Sequence, residues 1–244
     1  MIDKQVEIAT TDGQVTTFIA HPERGGPYPL ILFYMDAPGI REELRDMARR
    51  IASTGYYVML PNLYYRSKVM ELGPLPADPN APERKRMFEL MESLSISKVM
   101  SDTDALIAYA GKDGAKSSTI GCVGYCMSGQ YAINAAARHP DRVRAAASIY
   151  GVRLITDAAD SPHKVSAKAK GELYFACAEI DRWMPMEQVE PLRSALREAD
   201  AKAEVEVYPG VEHGFAFPAR PIYHKPSAER HWERLHSLFR RNLA

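Results

Sequence analysis

Cysteine is scarce in this chain: three residues in 244, at positions 122, 126 and 177. An odd, sparse set builds no disulfide framework, and no C-x2-C pair supplies the knuckle of a structural zinc site. Net charge is absent too, since 31 Lys and Arg face 31 Asp and Glu. No global field therefore gathers nucleic acid or anionic lipid. Nor is there an apolar run near the roughly 18 residues that a membrane span requires. The opening stretch MIDKQVEIATTDGQ carries acids and polar residues where a signal peptide carries bases and then an apolar run. No repeat of 20 to 50 residues and no low-complexity block occurs. These absences predict a cytoplasmic protein acting on a small, weakly charged molecule, with neither nucleic acid nor membrane as a partner.

What is present is ordinary globular composition, 46% hydrophobic and 25% charged, enough to bury a full core. Apolar β-rich runs alternate with helical patterns, the mark of an α/β chain whose parallel sheet is crossed by helices. The simplest organisation is one domain over 1–244. Two β-rich runs around Asp12-Gly13 predict an antiparallel edge hairpin at the amino end. Residues 28–35, YPLILFYM, form a continuous apolar run expected of a strand covered on both faces. A helix follows with Ile40, Leu44, Met47, Ala48 and Ile51 on one side, stopped at Gly55, before a strand in YYVMLPNLYY. Residues 66–81 are Pro-rich without period and predict a loop, cap or lid beside the sheet. Pro82 opens one helix and a second spans about 97–109. STIGCVGYC, RAAASIYG, GELYFACAE and AEVEVYPG are the remaining strands, with helices between them. The last helix is expected to be capped by Ser227, with Trp232, Leu235 and Phe239 on one face.

The segment Gly121–Gln130, GCVGYCMSGQ, is the most informative. A nucleophile set at a tight strand-to-helix turn needs small residues two before and two after it, and Gly124 and Ser128 flank Cys126 in that way. The helix amino terminus then favours a thiolate and an oxyanion. Ser128 is the rival nucleophile, but large Gln130 occupies one of the positions it needs small. Cys122 and Cys177 sit within apolar strands and read as core. A cysteine nucleophile needs a base and a group to orient that base. Asp181, in AEID after one strand, and His213, in EHGF after the next, supply them, with Glu179 the other candidate acid. The order nucleophile, acid, histidine is that of an α/β-hydrolase. The other six histidines read as surface, and the spacing of His231 and His236 misses the register of a helical metal pair.

With these residues in place, the chain resembles the dienelactone hydrolase family of α/β-hydrolases over roughly residues 5–242. The resemblance rests on MDAPGI, GYCMSG, AEID and EHGF. It implies an α/β-hydrolase fold: a mostly parallel central sheet, antiparallel amino-terminal edge strands and helices on both faces. It implies Cys126 as nucleophile, His213 as base and Asp181 as orienting acid, with the amides of Met127 and Ala37 holding the oxyanion. Asp36 matches a family carboxylate that activates the thiol, one methylene shorter here. Arg84 matches one of the arginines that hold the carboxylate of the family's unsaturated lactone. The other family arginine position is Phe217, with Arg220 three residues on. Phe215, Phe217, Trp183, Tyr64 and Tyr65 can line a more apolar pocket.

The expectation is a carboxylic ester hydrolase, monomer or homodimer, without cofactor or metal. It opens a small lactone or cleaves a small activated ester through a thioester. The alternatives are a broad carboxylesterase or thioesterase, and a noncatalytic thiol-sensing or ligand-binding member of the fold.

Overall fold

The structure, a computed structural model, describes residues 1–76 and 78–243; Ala77, inside the 66–81 segment, lies outside them. The chain divides into two compact units, Met1–Ser117 and Ser118–Ala244.

In the first unit, β1 (Ile2–Thr10) and β2 (Gly13–His21) form the expected hairpin, in register from Ile2 opposite His21 to Thr10 opposite Gly13. β2 also pairs antiparallel with β4 (Tyr57–Pro61), and β4 pairs parallel with β3 (Pro29–Tyr34). From Leu30 to Tyr34, β3 is completely buried, as its unbroken apolar run requires. α1 (Glu42–Ala52) buries Leu44, Met47, Ala48 and Ile51 against β2 and β4. Ile40, expected inside this helix, precedes it, and its amide donates to the Met70 carbonyl at 2.8 Å.

β4 ends at Pro61, short of the YYVMLPNLYY run, because Asn62 turns the chain. Its Oδ1 accepts from the Tyr64 amide at 3.0 Å and its Nδ2 donates to the Val69 carbonyl at 2.9 Å. After a 3-10 turn at Tyr65–Ser67, the described part of 66–81 has no further helix or strand and is tied to the turn at Pro38–Ile40 by main-chain bonds at Met70 and Leu72. α2 (Pro82–Ser93) opens on its proline. α3 (Ile96–Lys112) is capped by Ser95, whose hydroxyl accepts from the Lys98 amide.

The second unit holds four parallel strands in the order β5 (Lys116–Tyr125), β6 (Val143–Ile149), β7 (Glu172–Ile180) and β8 (Ala203–Glu212). Tyr125 lies opposite Ile149, so β5 and β6 end level, whereas β7, with Ala176 opposite Ile149, runs on to Ile180, opposite Glu212 of β8. α4 (Gly129–Arg138) is Ala-rich and buried through Ala136, packs on β6, and gives way at His139-Pro140. A short α5 (Pro162–Val165) and α6 (Val189–Glu198) follow.

α7 (Lys225–Leu243) packs on β6 and β7. It begins before Ser227, so that residue is not its cap. The Ser227 hydroxyl instead meets His224 Nδ1 at 2.9 Å, inside the first turn. His231, read as surface, is fully buried: it shares the stripe of Ala228, Trp232, Leu235, Leu238 and Phe239. Among the described residues no helix is long and apolar enough to cross a membrane.

Candidate active site

Cys126 follows the last residue of β5 and adopts φ = +55°, a left-handed conformation that a side chain enters only under constraint. The constraint is visible in the turn around it. A Cβ placed on Gly124 would stand 2.0 Å from the Ser128 carbonyl oxygen, so only glycine lets the strand pass beneath the helix start. A Cβ on Gly129 would meet Ser148 Oγ at 2.3 Å, which presses α4 onto β6. Ser128 is the small residue two after Cys126, and it is fully buried. Cys126 is half-buried, whereas Cys122 and Cys177 are buried within their strands, as expected. Burial pushes both of those thiols up, Cys177 to about 12.

Asp181 follows β7 and His213 follows β8. His213 Nδ1 lies 2.7 Å from Asp181 Oδ2. The other carboxylate oxygen, Oδ1, accepts from the amides of Trp183 at 2.8 Å and Met184 at 3.3 Å. Asp181 is therefore buried, satisfied and fixed in direction. Glu179 is exposed and accepts from the Gly210 amide at 2.6 Å, so it is not the acid that meets the histidine.

His213 Nε2 is buried without a hydrogen bond of good geometry, and its imidazole is electrostatically coupled to Cys126. The imidazole pKa is raised to about 9. Burial opposes the charge, and it is outweighed by the negative charge available at Cys126 and by the bond to Asp181. The second unit thus carries a thiol after β5, a carboxylate after β7 and an imidazole after β8, all at carboxyl ends of its parallel strands. That set can activate a nucleophile and return a proton to a leaving group.

The other expected residues fall in varied settings. Met127 is buried in the turn after Cys126. Ala37 and Asp36 are buried in the first unit. There Arg41 takes both Asp36 oxygens, at 2.6 and 3.2 Å, so that carboxylate is committed to an ion pair. Tyr64 is buried and donates to the Ala37 carbonyl at 2.9 Å, while Tyr65 donates to Asp102. Arg84 is half-buried and donates to the Pro76 carbonyl at 2.6 Å.

Phe215 and Phe217 are fully buried. Arg220 stacks over the Phe217 ring at 4.9 Å, and Trp183 is 42% exposed beneath the Arg182 guanidinium. Sequence reasoning passed over Tyr150, which follows β6. Its ring stands 5.1 Å from that of His213 and 5.4 Å from that of Phe215. The rule that picked the other strand ends also points to it. No group of three or more His, Cys, Asp or Glu able to hold a metal occurs among the described residues.

Fold and site together define an α/β-hydrolase. Residues 15–243 match the profile of the dienelactone hydrolase family, and the chain belongs to that family. It is similar to a Methylorubrum extorquens protein named "Putative carboxymethylenebutenolidase", 31% identical over 98% of this chain and 81% of that one. An Escherichia coli K12 protein of the same name is 30% identical over 96% and 84%. Among solved structures, the Klebsiella pneumoniae subsp. pneumoniae MGH 78578 "Putative Dienelactone Hydrolase" superposes with a TM-score of 0.87 at 26% identity, covering 98% of both chains. The chain is a hydrolase of carboxylic esters.

Proposed function

We propose that this hydrolase opens a small lactone of the dienelactone class, or cleaves a small activated ester, through a thioester on Cys126. The observation that carries the reading is the double engagement of His213, bonded to Asp181 through Nδ1 and electrostatically coupled to Cys126. The Cys126 sulfur attacks the carbonyl carbon as its proton passes to His213. The Met127 amide, at the start of the turn into α4, stabilises the oxyanion. The intermediate collapses, the carbon–oxygen bond breaks, and His213 protonates the departing oxygen. His213 then takes a proton from water as that water attacks the thioester; the acid leaves and the thiol regains its proton. Asp181 holds the imidazole in the tautomer that leaves Nε2 for these transfers.

A second reading, a broader carboxylesterase, is favoured by one feature. Phe217 stands where the family has an arginine, and it packs against Tyr125 and Tyr150 instead of offering a charge. The test compares turnover of a carboxylated dienelactone and a neutral aryl ester by wild type and Cys126→Ala. Loss of either activity in Cys126→Ala supports the thioester route, and the preferred compound separates lactonase from esterase. Equal activity in the two proteins removes Cys126 from the mechanism.

A further inference from the structure

His231 is fully buried in α7, and no step above uses it. Its two ring nitrogens are both engaged. Nδ1 lies 2.7 Å from the Ala228 carbonyl oxygen, which can only accept, so Nδ1 carries the proton. In the neutral ring Nε2 is then an acceptor, and the Tyr125 hydroxyl, 2.8 Å away, donates to it. The helix carbonyl thus sets the direction of the whole chain of bonds.

Tyr125 is the last residue of β5 and is joined to Cys126 through one peptide bond. Its side chain is fully buried and held on three sides, with Phe217 at 5.5 Å, Tyr150 at 5.8 Å and His231 at 5.7 Å between ring centroids. Tyr150 reaches on to the His213 ring at 5.1 Å. Backbone in the left-handed region persists only where its surroundings over-determine it. Gly124 and Gly129 permit the turn at Cys126, but permission does not impose it. The residue on which the turn pivots, Tyr125, is the one whose side chain these contacts anchor.

We infer that His231 is a positioning residue: by accepting the Tyr125 hydrogen bond it holds the backbone at Cys126 in the conformation that presents the thiol to His213. The inference rests on Cys126 being the nucleophile, and its test has one readout that does not need turnover. Cys122 and Cys177 are buried, so alkylation by iodoacetamide, read by peptide mass spectrometry, reports on Cys126.

Tyr125→Phe removes the donor while keeping the ring, His231→Leu removes the acceptor, and His231→Gln offers a substitute acceptor. Because small misplacements of reacting groups cost rate steeply, Tyr125→Phe and His231→Leu are expected to lower kcat and the Cys126 alkylation rate by about tenfold or more. KM should hold, the double variant should lose no more than either single one, and His231→Gln should recover most of the rate. A Tyr125→Phe protein with a native thermal midpoint, whose kcat and alkylation rate stay within about twofold of wild type, overturns the inference. Should His231→Leu fail to fold, Tyr125→Phe and His231→Gln still decide. Should wild type turn over neither ester, the alkylation rates still judge the role of His231, separately from the proposed reaction.

Discussion

Asp181 and His213 are joined by a 2.7 Å contact between Oδ2 and Nδ1, and the same carboxylate is gripped from behind by the amides of Trp183 and Met184. The acid therefore cannot turn away, and the imidazole it holds is presented in one tautomer. Asp181→Asn keeps the shape but loses the charge, and its amide can donate where the carboxylate accepted. A fall in kcat of about a thousand- to ten-thousand-fold is expected, with little change in thermal midpoint, from paired kinetic and melting measurements.

Charge balance between Cys126 and His213 gives a second expectation. The His213 pKa, raised to about 9 from an ordinary 6.5, is lifted despite burial by Cys126 and Asp181. A raised histidine stabilises the folded state fully below about pH 6.5, and this contribution is lost as pH rises through about 9. In Cys126→Ala one of the two lifting partners is gone, so the His213 pKa should fall below the wild-type value in an NMR titration. The stability advantage of wild type over this variant should then shrink as pH rises from 6.5 to 9.

The turn itself is tested by Gly124→Ala. With its Cβ 2.0 Å from the Ser128 carbonyl, the strand and helix start must separate. A loss of about 3 kcal/mol or more is expected from such overpacking, together with loss of turnover, measured by denaturant unfolding and steady-state kinetics.

Away from the site, Glu172 accepts hydrogen bonds from Arg241, Asn242 and Lys202, which hold its carboxyl down at about 2 although partial burial works the other way. A depressed acid stabilises above its ordinary value near 4.5, and that contribution disappears as pH falls through about 2. Its partners Arg241 and Lys202 are largely exposed, so screening reduces the effect. Glu172→Gln should cost about 1 kcal/mol at pH 7 and almost nothing at pH 2, by thermal unfolding at the two pH values.

The strands and the positions of the candidate site residues were legible where chemistry has a short period. The run at 28–35, the GYCMSG turn and the residues after two late strands are local patterns, and Cys126, Asp181 and His213 fall where those patterns point. Tyr150 obeys the same strand-end rule and was passed over because Tyr carries no triad role. His231 was missed for a different reason. A histidine on a helix with charged neighbours looks solvated, and only counting it into the stripe with Trp232, Leu235 and Phe239 reveals it as core. Ser227 matched a capping composition, but the helix started earlier, at Lys225. The pairing of Asp36 with Arg41 depends on how a turn brings residue 41 back over residue 36, which no spacing rule encodes.

The proposed reaction passes through a covalent acyl group on the sulfur of Cys126. Intact-mass spectrometry of protein quenched in acid during turnover of a neutral aryl ester tests it most directly, followed by mapping of the modified peptide. A single acyl addition is expected on the peptide carrying Cys126, absent from Cys126→Ala. An addition on Ser128, or full turnover by Cys126→Ala with no addition at all, would contradict it.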